Sequence, residues 1–237
     1  MKRIPTPELL DTDAGTPAEI AASLSDLSRI NRWFGGTETT VQLVQRVAKA
    51  CGAPGVPARR KDETPIPPSS SLSLLEVAAG SGYVPRVVQE RLSRRGVRLD
   101  VTLLDRVASH IGDGGRSVVG DALTIPFRDS SFDVVSSVLF AHHLCPDELV
   151  RFVTESLRVC RKAVVINDLI RDPIHLALVY SGFPLYRSRL TRNDAPASVR
   201  QAYTLDEMRD ILHQTNATRF EIDSYYLYRM GVIAWKP

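Results

Sequence analysis

A handful of positions carry groups that could do chemistry together. Glu76-Val77-Ala78-Ala79-Gly80-Ser81-Gly82 has the spacing acidic-x-x-x-Gly-x-Gly. A loop this poor in side chains lets a ligand lie against bare backbone, and the helix that follows offers free N–H donors at its N-terminus. Asp105 and Asp121 each follow a mostly apolar run. A carboxylate at such a strand end can accept both hydroxyls of a ribose, and Asp121 would suit the amino group of an adenine. The plainer alternatives are a helix cap for Asp105 and a turn residue after Gly120 for Asp121. His142-His143 follows a fourth apolar run, and a histidine is the usual side chain for removing a proton near neutral pH. Adjacent residues at a helix start point about 100° apart, so one of the two faces a ligand and the other packs or caps. Asp168, further on, could orient an imidazole and stabilise its charged form.

The elements that must position these groups alternate. Leu74–Val77 reads as a strand, and Val84, Val87, Val88 and Leu92 follow on one helical face. Leu99–Leu104, Arg116–Val119, Phe132–Leu139 and Ala163–Ile166 read as further strands. Phe132–Leu139 is nearly all apolar or small, as a buried parallel strand should be. Pro146-Asp147-Glu148 starts a helix between the last two, and Phe220–Trp235 reads as two final strands. This order predicts an α/β fold with a doubly wound, mostly parallel, seven-stranded sheet. In such sheets ligands bind beyond the carboxyl ends of the strands, where all the groups above fall.

Ahead of the sheet, Thr16-Pro17-Ala18-Glu19 has the form of a capping box, and two amphipathic helices run to Cys51. Residues 1–51 thus read as an N-terminal helical cap with residues 1–15 loose. Residues 52–70, rich in Pro, Ser and charge, read as a linker, and 71–237 as the main domain. An insertion at about 171–203 is expected to act as a lid. Asp172-Pro173 caps a helix within it, and Arg187, Arg189, Arg192 and Arg200 fall in a solvated loop, unless one of them steers an acidic or phenolate substrate.

The 237 residues carry a net charge of +3 and are 43% hydrophobic, enough for a sizeable core and without the basic excess of a nucleic-acid binder. No apolar run approaches the ~20 residues that span a membrane, and no signal peptide is evident. Cys51, Cys145 and Cys160 lack metal-binding spacing and read as reduced thiols of a cytoplasmic protein. His110, His175 and His213 are scattered and read as structural or solvent-facing. The loop is not a dinucleotide fingerprint, since Pro85 stands at the third glycine position, and it lacks the Gly-Lys-Ser/Thr of a phosphate loop.

The ordered set resembles the successive motifs of class I S-adenosylmethionine (SAM) dependent methyltransferases. It comprises Glu76 to Gly82, Leu103-Leu104-Asp105, Gly120-Asp121-Ala122 with Pro126-Phe127, and Phe132-Asp133-Val134-Val135. Ala78 stands where the family usually has its first glycine. The resemblance covers about residues 72–170 and implies a Rossmann-like methyltransferase sheet with SAM as cofactor. It implies ribose on Asp105, adenine near Arg106, Asp121 and Ala122, and the amino-acid end of SAM on Glu76, Ala78, the Gly80-Ser81-Gly82 loop and the Val138 backbone. Leu27–Arg32, Asn167-Asp168-Leu169 and Ser198-Val199-Arg200 resemble, more loosely, a bacterial subgroup associated with polyketide biosynthesis. Some small-molecule O-methyltransferases of the class pair a histidine with an aspartate at the fifth strand end, which implies His142 or His143 with Asp168 as the catalytic pair. The N-methyltransferase signature is absent at Phe140-Ala141-His142-His143, and a metal is not expected because no carboxylate stands in that stretch. The expected activity is methylation of a small aromatic or polyketide-like acceptor on oxygen, by a monomer or homodimer with no nucleic-acid or membrane partner. C-methylation of a quinone-like ring, or SAM-binding regulation without catalysis, are the alternatives.

Overall fold

The structure is a computed structural model that describes residues 1–12, 14–51, 71–111 and 115–237, without the side chain of His110. The expected linker, 52–70, lies outside the described residues. Seven strands form one sheet: β1 (Ser71–Val77), β2 (Arg98–Asp105), β3 (Arg116–Val119), β4 (Phe132–Val138), β5 (Cys160–Leu169), β6 (Arg219–Tyr225) and β7 (Arg229–Trp235). Their order is β3-β2-β1-β4-β5-β7-β6, parallel except for β7, which runs antiparallel to both β5 and β6. Strand order reverses between β1 and β4, so a crevice opens beyond their carboxyl ends.

Alternation along each strand separates two cores. Leu72 and Leu74 of β1, Ala163 and Val165 of β5, and Ile233 of β7 face α2 (Gly36–Ala50) and α3 (Tyr83–Ser93). Leu75, Val77, Val164, Ile166 and Val232 face the other way, toward α4 (Pro146–Val159) and α7 (Leu205–Leu212). Asn167 at the end of β5 anchors α2, its amide donating to the Gly36 carbonyl at 2.6 Å and to Thr40 Oγ1 at 2.8 Å. α1 (Pro17–Trp33) precedes it, capped by the Thr16–Glu19 box read from the sequence. Among the described residues no helix is long and apolar enough to cross a membrane.

Two local expectations are corrected. Asp172 caps α5 (Pro173–Ser181), but the arginine-bearing segment after it is also a helix, α6 (Arg189–Gln201), that continues through Pro196. Proline there forfeits one backbone bond, but Leu190, Ala197 and Val199 are buried and Ser188 caps the start. Residues 1–12 are not loose either. The Ile4 N–H donates to the Arg200 carbonyl, and the backbone N–H groups of Leu9 and Leu10 donate to the two oxygens of Asp194. Arg3 reaches the carbonyls of Gln201, His142 and Leu144. The stretch is a strap laid over α6, held by polar contacts that have no hydrophobic periodicity to betray them.

Candidate active site

Beyond β1 the chain turns on three left-handed residues, Ala78 (φ +54°), Gly80 (φ +49°) and Gly82 (φ +66°). The two glycines serve different ends. A Cβ on Gly80 would meet nothing within 4 Å, and this residue lines a cavity of about 520 Å³. Gly82 does not line the cavity; its Cβ would stand 2.7 Å from Leu103 Cδ1, so it lets α3 approach β2. Asp105, at the end of β2, accepts from the Gly80 N–H at 2.8 Å and from the Val107 N–H at 3.0 Å. It therefore ties the loop and caps the following turn, and each oxygen keeps a lone pair for a ligand hydroxyl. Asp121 accepts from the Leu123 N–H at 2.7 Å, as a turn residue does, yet lines the cavity beside Arg106 and Ala122. Ala78, Ser81, Glu76 and Val138 line it as well.

Glu76 is buried with one strong partner, the Ser136 hydroxyl, which donates at 2.5 Å. Burial pushes its carboxyl up to about 7 against the lowering effect of that bond. It is thus poised between the neutral and charged forms at the cavity wall.

β4 and β5 are neighbours, so the turn after β4 meets the end of β5. There the His142 N–H donates to Asp168 Oδ2 at 3.0 Å, and its ring Nδ1 lies 2.6 Å from Asp168 Oδ1. The two histidines occupy a short 3-10 turn, Ala141–His143, ahead of α4. Burial alone would lower the His142 pKa, but the carboxylates of Asp168 and Glu8 outweigh it and raise it to about 10. His142 is an imidazolium at neutral pH. Asp168, despite burial, is held below the usual carboxylate range by that charge. Asp168 does not line the cavity; it acts through His142, which does.

The strap closes the other side. Glu8 Oε1 lies 3.5 Å from His142 Nε2 and 4.0 Å from His143 Nε2, and Asp11 Oδ2 lies 2.8 Å from His143 Nδ1. The local sequence holds no carboxylate here, but the fold imports two from the N-terminus. Glu8, His142 and His143 offer donor atoms all within 4.8 Å of one another, a set that could close on a metal ion only once His142 had lost its proton. Glu8 also accepts from the Ser198 hydroxyl at 2.5 Å and the Gln201 amide at 2.7 Å, so it is a held carboxylate.

The open face at Gly80, the two aspartates at successive strand ends and the reversal crevice together suit a nucleoside with an extended amino-acid tail. Residues 75–166, which span β1 to the end region of β5, match the family model described as a methyltransferase domain. Residues 75–166 thus form a methyltransferase domain. The fold of the chain is similar to that of the plantazolicin methyltransferase BpumL, solved with a triazolic desmethylPZN analog and SAH, at 11% identity over 97% of this chain and 95% of that one, with a TM-score of 0.67. Magnesium protoporphyrin IX methyltransferase (ChlM) from Synechocystis PCC 6803, solved with bound SAH, is similar at 13% identity over 88% of this chain and 87% of that one, TM-score 0.51. A SAM dependent methyltransferase from Aquifex aeolicus is similar at 15% identity over 70% and 82%, TM-score 0.50. No curated protein matches the sequence.

One continuous cavity joins the glycine loop to the histidine pair, and its remaining walls come from outside the minimal sheet. α1 contributes Leu27, Ser28 and Asn31, while Val179, Tyr186 and Val199 come from the segment 171–203. Arg187, Arg189, Arg192 and Arg200 are not among the lining residues; Arg200 instead donates to the Tyr180 hydroxyl at 2.6 Å. Sequence reasoning missed Glu8, Asp11, His175 and Arg229, all of which line the cavity. None stands in a motif. The one available signal is the isolation of Arg229 in the otherwise apolar run that ends the chain. Of the other scattered histidines, His213 packs edge-on against Phe220.

Proposed function

We propose that this chain moves the methyl group of SAM to an oxygen of a small aromatic or polyketide-like molecule, with His142 receiving that oxygen in its ionised form. The observation that carries the reading is the buried imidazolium–carboxylate pair on the wall of the cavity that also holds the glycine loop. Asp105 and Asp121 would hold the ribose and adenine, and Glu76, the Gly80 loop and Val138 the amino-acid end. The open space at Gly80 and the spare lone pairs of Asp105 fit such a ligand. SAM, when bound, supplies a methyl group on a positively charged sulfur.

The chain's own residues then have one electrostatic task. A phenol loses its proton near pH 10 in water. A cation within hydrogen-bond reach lowers such a value by about 1–3 units. His142 Nε2–H, kept charged by Asp168, would do this once the acceptor takes the place Glu8 now holds beside it. Whether the acceptor's proton goes to a neutral His142 or to solvent, the reactive state is the same pair, imidazolium and ionised oxygen. The N-terminal helices and the segment 171–203 would form the acceptor wall and lid, since they are additions to the sheet and since α1 and the segment line the cavity, while α2 packs on the sheet. The solved neighbours named for plantazolicin and for magnesium protoporphyrin IX support a small-molecule acceptor over a macromolecule.

The test is incubation with methyl-labelled SAM and a panel of phenols, with products read by mass spectrometry and carbon NMR. A labelled O-methyl signal is expected. A methyl group on ring carbon would overturn the oxygen assignment, and no transfer to any phenol or polyphenol would overturn the acceptor class.

A further inference from the structure

Arg229 opens β7 and is 1% exposed, yet it lines the same cavity. Its Nη2 donates to Asn31 Oδ1 at 3.1 Å. Its Nη1 is buried with no hydrogen-bond partner among the described residues. Arg171, the other strongly buried arginine among the described residues, shows what is missing, because it pairs with Glu207 at 2.5 Å. Asp168 acts on Arg229 only as a charge in the surroundings, and burial pulls the guanidinium down to about 10, which leaves it charged at neutral pH. A buried cation without a hydrogen-bonded counter-ion is costly, and persists where something else supplies the anion.

The corner around it is built. A Cβ on Gly36 would fall 2.2 Å from Asn31 Oδ1 and 3.0 Å from Arg229 Nη2, so the glycine makes room for the brace. The Thr37 hydroxyl holds the Asn31 carbonyl at 3.2 Å. His175, which also lines the cavity, has its pKa lowered by burial and by the nearby charge of Arg229. The sheet order places β7 three strands from β1, roughly 14 Å at ~4.8 Å per strand, and so on the acceptor side of the cavity.

We propose that Arg229, braced by Asn31, binds a carboxylate of the methyl acceptor, which makes the substrate class an acidic hydroxy-aromatic molecule. The inference rests on the acceptor-pocket reading above, but its test measures binding and needs no turnover. The protein saturated with SAH would be titrated by calorimetry with hydroxybenzoates and hydroxynaphthoates, each against its uncharged amide. Wild type should favour the carboxylate about tenfold or more, as a charge-assisted contact does. Arg229→Gln should abolish that preference and leave SAH affinity unchanged. Asn31→Asp keeps the size of the brace but gives Arg229 an internal counter-ion, and should abolish the preference in a fully folded protein. Equal binding of acid and amide by wild type would overturn the proposal, as would a preference that survives in Asn31→Asp. A loss of SAH affinity in Arg229→Gln, with 5′-methylthioadenosine affinity unchanged, would assign the guanidinium to the amino-acid end of the cofactor instead and overturn it too.

Discussion

Asp168→Asn removes a charge with almost no change in shape, and its effect should depend on pH in a way that few structural defects would copy. In the wild type, Asp168 accepts from the His142 ring, from the His142 N–H and, at 2.7 Å, from the Leu169 N–H. An asparagine cannot accept on both sides, so at least one buried donor loses its partner and the imidazolium loses its counter-ion. Breaking a buried pair by removing one partner typically costs about 3–5 kcal/mol. The folded pKa of His142 is raised from 6.5 to about 10. Stability from that shift is fully present below 6.5 and is lost as pH rises through 10. Asp168 is shifted the other way, so its share is present above the ordinary carboxylate range and is lost in acid. Urea denaturation should therefore show the largest gap between wild type and Asp168→Asn near pH 6, narrowing by pH 10. The His142 ring resonances should titrate near 10 in wild type and several units lower in the variant. A gap that is the same at pH 6 and pH 10, or a wild-type titration near 6.5, would refute the imidazolium pair.

Asp105→Ala should weaken SAH binding about 10²–10³-fold, through loss of charge-assisted bonds to the ligand and of the loop tie to Gly80, and calorimetry giving an unchanged affinity would remove Asp105 from the cofactor site. Glu76→Gln should stabilise the ligand-free protein, because a carboxyl raised by burial to about 7 costs stability as pH rises above its ordinary value of 4.5. The gain should approach ~3 kcal/mol at pH 8 and vanish near pH 4, read as melting temperature, and a gain independent of pH would count against it. Deleting residues 1–12 takes Glu8, Leu10 and Asp11 out of the cavity wall, which opens the acceptor side to water, and should abolish transfer while SAH still binds, whereas full activity in the shortened protein would show the strap to be incidental.

The sheet and its cofactor side were legible because they rest on local rules. Apolar runs ending in Gly80, Asp105, Asp121 and Asp168 announce strands and what stands at their ends, and the partnership of His142 with Asp168 follows from two strands being neighbours. Gly82 looks like a ligand contact in the sequence because glycine frees a backbone for either purpose, and only Leu103 at 2.7 Å from its would-be Cβ shows that it serves packing. α6 is hidden in the sequence because Pro196 and its many charged residues blur a helical signature, while Leu190, Ala197 and Val199 outweigh the lost bond through tertiary burial. The acceptor side was scarcely legible. Glu8 reaches His142 across 134 positions of chain (142 minus 8) through contacts with Ser198 and Gln201, and no spacing encodes such a meeting. Arg229 and Asn31 meet across 198 positions.

The central claim is tested most directly by the pH dependence of methyl transfer in His142→Ala against wild type, on whichever phenol of the panel reacts. At pH 7 the variant should be slower in kcat by about 10–10³-fold, the factor by which a neighbouring cation raises the ionised fraction, with SAM affinity unchanged. The deficit should shrink as pH approaches 10, where the acceptor ionises unaided and wild-type His142 begins to lose its proton. A variant that stays within a few-fold of wild type from pH 6 to pH 10 would contradict the account, and alignment of the two substrates alone would then carry the reaction.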